Sequence, residues 1–140
     1  MRILSMDVGD RRIGMAISDP LGWTAQGIET LVRRNNKYDF DTLSEIIERY
    51  NPKQIVIGLP RNMNGTLGPQ SDKVKKLGGK LGAITNVDIV YWDERLTTIA
   101  AERSMIDTDM RREKRKKKVD QIAAVLILQS YLDYINREQE

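Results

Sequence analysis

The chain has 140 residues, 40% of them hydrophobic and 31% charged, with a net charge of +3; this is the length of one domain, 1–140, able to bury a core without covalent staples. It contains neither cysteine nor histidine, which excludes disulfides, thiolate chemistry, imidazole-ligated zinc and the serine and cysteine triads, and leaves carboxylates as the agents of any acid–base or metal chemistry. No apolar run reaches membrane-spanning length and the N-terminus enters a strand directly, so the expectation is a cytoplasmic protein without membrane attachment.

Arg2-Ile3-Leu4-Ser5-Met6 reads as a strand near the sheet centre that delivers Asp7 to its end, followed at once by Gly9. Gly9 permits a backbone conformation that other residues resist. Ile13, Met15 and Ile17 then alternate with Arg12, Gly14, Ala16 and Ser18 in the period of a second strand. Asp19-Pro20-Leu21-Gly22 is a turn, and Thr24 to Arg33 reads as a third strand, giving three antiparallel strands in succession. Tyr38 or Phe40 with Leu43, Ile46, Ile47 and Tyr50 has helical spacing, ended by Asn51-Pro52. Gln54 to Leu59 is a continuous apolar run expected of a parallel strand covered on both faces.

A Pro-, Gly- and Asn-rich connection follows, then a helical stretch from about Gln70 to Leu81, then a fifth strand, Val87 to Trp92, ending in Asp93-Glu94-Arg95. Thr97 or Thr98 can cap a third helix through Ala100, Ala101 and Met105. Asp107 to Lys118 is charged and aperiodic and reads as a mobile loop; from Arg111 to Lys118 it carries seven bases against Glu113 alone, a positive field that attracts phosphate backbones. The last helix is expected from about Val119 to Ile135, with Asp120 at its first turn. The order β-β-β-α-β-α-β-α-α gives an α/β fold with a five-stranded mixed sheet, three antiparallel and two parallel strands, flanked by helices.

Each acid has an ordinary structural reading. Asp7 can cap a turn, Asp93-Glu94-Arg95 can be a charged turn, and Asp120 can complement a helix dipole. Open sheets nevertheless carry their sites at the carboxyl ends of strands. Three converging carboxylates, Asp7, Glu94 and Asp120, would repel one another unless a divalent cation sat between them, and oxygen-only ligation suits Mg²⁺ or Mn²⁺. Gly9 and Gly14 read as a tight hairpin that clears space above Asp7 for metal and nucleic-acid backbone.

With these residues identified, the chain resembles the YqgF family, also called RuvX, of resolvase-like nucleases on the ribonuclease H fold. The likeness covers nearly the whole length and rests on four ordered motifs. They are Asp7-Val8-Gly9 with Arg12-Ile13-Gly14 and Ala16-Ile17-Ser18-Asp19; Gly58-Leu59-Pro60 with Asn62 and Gly65; Asp93-Glu94-Arg95-Leu96-Thr97-Thr98; and Asp120 with Ala123-Ala124 and Ile127-Leu128-Gln129-Ser130-Tyr131-Leu132. The resemblance implies a metal-dependent nuclease acting on the 5′ end of precursor 16S rRNA or on branched DNA such as a Holliday junction, as monomer or homodimer. It makes Asp7, Glu94 and Asp120 the catalytic, metal-binding acids. Arg11 or Arg95 would neutralise phosphate, and Arg61, Asn62, Lys116 and Lys117 would guide the strand. Better-known junction resolvases carry their second acid on the fourth strand, where this chain has Gly58, so Glu94 must substitute. Whether Asp93 or Asp19 assists stays open. The competing readings are a nucleic-acid-binding protein without turnover and a phosphate-handling enzyme of the actin-like type; the latter needs two such lobes to enclose ATP, and 140 residues supply only one.

Overall fold

Residues Ile3–Val8 form strand β1, all six of them buried, and a strand covered on both faces belongs inside a sheet. The computed structural model describes residues 2–61, 64–97 and 112–138, with the side chains of the last segment described from 119 to 137. After β1 come β2 (Arg12–Ser18), β3 (Ala25–Gly27), β4 (Leu31–Val32), α1 (Asn36–Tyr50), β5 (Gln54–Leu59), α2 (Pro69–Thr85), β6 (Asp88–Asp93), a 3-10 turn (Glu94–Leu96) and α3 (Arg112–Glu138). The strands lie in the order β3-β2-β1-β5-β6, with β4 also paired to β2. β1 is antiparallel to β2 and parallel to β5, which is parallel to β6.

Alternation along the strands splits the interior into two cores. Leu4, Met6 and Val8 face one way, packing with Leu43, Ile46 and Ile47 of α1 and Val74, Leu77 and Leu81 of α2. Ile3 faces the other way with Ala16 and Val56, under Ala123, Ala124, Ile127, Leu128, Tyr131 and Leu132 of α3. Ser5 and Asp7 share this second face by the two-residue period, and the Ser5 hydroxyl donates to the Ala124 carbonyl at 2.7 Å. The described residues therefore form three layers, with α1 and α2 on one side of the sheet and α3 on the other.

Within the described residues the expected strands and helices are present, with instructive differences. The third strand is in two short pieces, β3 and β4, separated at Ile28 to Thr30; Gln121 of α3 binds the Ile28 carbonyl at 2.7 Å, so this backbone turns to the helix instead of continuing one ladder. α1 is capped by Asn35, whose side chain accepts from the Tyr38 amide, and ends at Asn51 in the left-handed region. Asp39, buried in its first turn, accepts from Arg33 Nε and the Arg34 amide, both at 3.0 Å, and pins the approach to the helix. The expected loop at Asp107 to Lys118 is helical from Arg112 onward, because Lys and Arg are good helix formers and nothing in that run breaks a helix. Asp120 thus stands two turns inside α3, too far in to serve as an N-terminal dipole charge. The expected third helix around Ala100 to Met105 lies outside the described residues.

The glycines differ in what they require. Gly9 does not adopt a positive φ; a Cβ there would come to 3.0 Å from the Arg12 carbonyl, so closeness in the β1–β2 turn is the constraint. A Cβ on Gly14 would fall 2.0 Å from the Asp120 backbone oxygen. At this point α3 sits so close to the sheet that no side chain fits between them.

A matched pair of substitutions checks this packing. Gly14→Ala should lose about 1–3 kcal/mol of stability in urea unfolding as α3 is pushed off the sheet, whereas Gly79→Ala, in α2 with nothing within 4 Å of the added carbon, should gain roughly 0.5–1 kcal/mol. Equal effects of the two would remove Gly14 as the point of closest approach.

Candidate active site

The site is built around Asp7, near the carboxyl end of β1 and only 8% exposed. Its neighbour across the antiparallel ladder is Gly14. On the other side Met6 pairs with Ile57 of β5, so one step further the register brings Gly58 beside Asp7. Strand neighbours share a face, and both positions flanking this carboxylate therefore lack a side chain on the face where α3 lies.

An acid stands at each gap together with other atoms of the fold. A Cβ on Gly14 would meet the Asp120 backbone at 2.0 Å and its Cβ at 3.1 Å, and a Cβ on Gly58 would meet Ile127 Cδ1 of α3 at 2.5 Å and the Glu94 carboxylate oxygen Oε1 at 2.9 Å. Glu94 reaches over the strand where a side chain on Gly58 would stand. That geometry answers the departure noted from the sequence: the strand β5 position is empty, and an acid from the end of β6 leans into it.

The delivery of Glu94 follows from its local sequence. Asp93 ends β6 and caps the 3-10 turn, its side chain accepting from the Arg95 amide at 2.9 Å. The Thr97 amide and hydroxyl both donate to the Glu94 carbonyl, at 3.1 and 2.8 Å, closing the turn. Arg95 binds Asp93 through Nε and Nη2, the latter at 2.8 Å, and Arg61 adds a contact at 3.5 Å. The Arg95 side chain, followed by its amide and the nearby Arg61 charge, holds the Asp93 carboxyl below the ordinary aspartate range.

Asp120 is fixed by Arg12, whose Nε donates to Oδ2 at 2.8 Å with both side chains largely buried. Arg12 lies two residues before Gly14 on the same face of β2. It supplies the opposite charge that adjacent buried carboxylates need. Sequence patterning placed Arg12 on this strand, yet its role as partner to Asp120 went unread, because a pair separated by 108 residues leaves no local signal.

The remaining expected residues sort clearly. Arg61 and Arg95 are at the same edge but turned to Asp93. Arg11 lies in the β1–β2 turn, lining a cavity that it shares with Lys73, Lys76 and Lys80 of α2. Asn62 and the side chains of Lys116 and Lys117 are outside the described residues. Asp19 is at the opposite sheet edge, where β2 ends, and accepts from the Trp23 and Thr24 amides at 2.7 and 2.9 Å; these bonds, Thr24 foremost, lower its pKa. It closes a turn there. Gly14, expected to clear room for a metal, makes room for the backbone of α3 instead.

For a hard divalent cation the donors are of the right kind, carboxylate oxygens from three separate elements. Among the described residues no group of three or more His, Cys, Asp or Glu side chains stands at metal-holding spacing, and the Asp120 carboxylate is directed to Arg12.

A family model described as "RuvX: Holliday junction resolvase" matches residues 1–134. A protein of Clostridium tetani strain Massachusetts is 57% identical over 135 residues, covering 96% of this chain and 98% of its own, and one of Clostridium botulinum strain Hall is 54% identical over 137 residues, covering 98% and 100%. Both are named "putative pre-16S rRNA nuclease". Among solved structures, Thermus thermophilus RuvC in complex with a Holliday junction substrate superposes with a TM-score of 0.67 at 9% identity, covering 99% of this chain and 96% of that one. The fowlpox virus resolvase bound to junction DNA gives 0.57 at 18% identity, covering 96% and 99%. These likenesses confirm the resolvase-type ribonuclease H fold. Matched by the family model along nearly its whole length, and more than half identical to relatives that it covers almost end to end, the chain belongs to the RuvX family.

Proposed function

We propose that this protein is a metal-dependent nuclease that hydrolyses phosphodiester bonds of precursor 16S rRNA at its 5′ end, working in the cytoplasm. One observation carries the chemical part: a nearly buried Asp7 flanked by two glycines, with Asp120 over one and Glu94 over the other. The identity of more than half with relatives named for pre-16S rRNA favours RNA as substrate over a DNA junction. No helix among the described residues is long and apolar enough to cross a membrane.

Asp7, Glu94 and Asp120 would hold Mg²⁺ or Mn²⁺. A bound ion of this kind lowers the pKa of a coordinated water and stabilises the leaving oxygen of an in-line displacement. The chain's own residues set the stage for that chemistry. Burial of Asp7 confines approach of the scissile phosphate to the carboxyl edge of the sheet. Arg12 orients Asp120 and offsets its charge. Asp93, clamped by Arg95, stiffens the turn that carries Glu94. Arg11, one residue before Arg12, is placed to meet the negative charge of the incoming strand.

Asp7→Asn should lower cleavage of a precursor 16S rRNA 5′ fragment at least about a hundredfold in Mg²⁺ while leaving the unfolding midpoint close to wild type. Chelation by EDTA should stop the wild-type reaction and added Mg²⁺ or Mn²⁺ should restore it. Undiminished cutting by Asp7→Asn would remove the assigned mechanism, and exclusive cutting of four-way DNA junctions would change the substrate.

Asp93→Ala should slow cleavage roughly tenfold by loosening the Glu94 turn. A group with a lowered folded pKa contributes fully above its unfolded value and loses that contribution as the pH falls through the folded one. The defect of Asp93→Ala should therefore be constant across the neutral range. A pH–rate comparison in which wild type and variant converge near neutrality would contradict the capping role.

A further inference from the structure

On the other face of the sheet, where α1 and α2 lie, a cavity of about 850 Å³ opens beside the β1–β2 turn. Arg11 enters it from that turn, Arg33 and Arg34 from the segment before α1, and Lys73, Lys76 and Lys80 from α2; with Arg12 this makes seven cationic side chains against two carboxylates, Asp10 and Asp39. The whole chain is only +3, so this groove concentrates more positive charge than the protein carries in sum. We infer that it is a second phosphate-backbone tract, which grips the part of the substrate that flanks the cleaved bond. This rests on the nuclease reading and extends it.

Three ion pairs offset part of the field, Arg33 with Asp39, Lys73 with Asp10 and Arg12 with Asp120 of α3, and the excess stays positive. Asp39 is only 2% exposed and committed to Arg33 and the Arg34 amide, which leaves the Arg34 guanidinium 4.5 Å over the Tyr38 ring. Asp10 meets Lys73 at 3.4 Å in a pair with both side chains about two-thirds exposed, a contact that an arriving phosphate can displace. Lys80 lies 4.5 Å over Phe40 and is held by that ring.

Spacing decides between a long polyanion and a small one. Lys73, Lys76 and Lys80 follow one another on one face of α2 at helical intervals and span about 10 Å along the axis. One strand of a duplex passes about three phosphates in that length, at roughly 3.4 Å each. The three exposed lysines are thus a track, where a free nucleotide would call for charge focused on one point.

The groove also connects to the acids. Arg12 lines it and donates to Asp120. Arg33 Nη1 donates to the Gly9 carbonyl at 3.0 Å, just past Asp7, and Gln70 at the start of α2 reaches the Val8 carbonyl at 3.4 Å. A strand held along α2 is led past the β1–β2 turn to the edge where Asp7 sits.

The test is binding of a duplex RNA with a single-stranded 5′ extension, measured over a salt series with Asp7→Asn in every protein so that no substrate is consumed. Lys73→Glu/Lys76→Glu/Lys80→Glu should bind roughly tenfold or more weakly near 0.1 M salt, with the log–log salt slope shallower by about 2–3. The triple Lys→Gln variant should move the same way by less. Lys53→Glu/Lys75→Glu/Arg137→Glu, with the same change in total charge outside the groove, should stay within about threefold of the parent. Unchanged affinity and slope in the groove variant, or equal losses in both charge-reversed triples, would overturn the tract even if cleavage is normal. A selective loss in the groove variant would uphold it even if the Asp7-dependent cleavage were never observed.

Discussion

The structure depends on how closely α3 can approach the sheet. At Gly14 the separation is so short that a single added carbon would overlap the Asp120 carbonyl, and at Ser5 the sheet reaches up to bond the Ala124 carbonyl. Ala123 and Ala124 keep the helix side of this contact thin. One turn of α3 is thereby pressed against β1 and β2, and that turn carries Asp120. Close packing usually serves stability; here it also sets the depth at which an acid stands beside Asp7.

The same missing side chains organise charge. Gly58 lets Glu94 lean in from the end of β6, and Gly14 admits Asp120 from the helix, so that three elements distant in sequence meet at one strand end. Such a grouping is costly unless opposite charge is built in with it. Arg12 meets that need for Asp120, while Arg61 and Arg95 gather on Asp93. A further excess of positive charge lies on the opposite face, beside α1 and α2, apart from Asp7 and Glu94. Arg12 belongs to both regions.

Much of this was legible from residues alone, for physical reasons. The mainly apolar runs Ile3 to Met6, Gln54 to Leu59 and Val87 to Trp92 fit strands of one sheet, and open sheets present strand ends as sites, which singles out Asp7 after the first run and Glu94 after the third as candidates. The start of α3 was not legible, because Arg112 to Lys118 has no apolar residue to reveal a period even though its residues favour helix. The use of Gly14 was misread for a related reason. A glycine beside an acid has the same local signature whether it makes room for a ligand or for a helix 100 residues away. The pairing of Arg12 with Asp120 and the groove across from the α2 lysines leave no such signal, since they are assembled from segments far apart in sequence; the helical spacing of Lys73, Lys76 and Lys80 alone reads as an ordinary solvated face.

The central claim is that Asp7, Glu94 and Asp120 act as one unit. Single-turnover cleavage of a precursor 16S rRNA 5′ fragment, followed across a Mg²⁺ titration for Glu94→Gln, Asp120→Asn and the double variant, tests it most directly. Residues that act together give strongly non-additive losses, so each single change should cost at least about a hundredfold and the double little more. Full activity in either single variant, or losses that simply multiply in the double, would contradict the account.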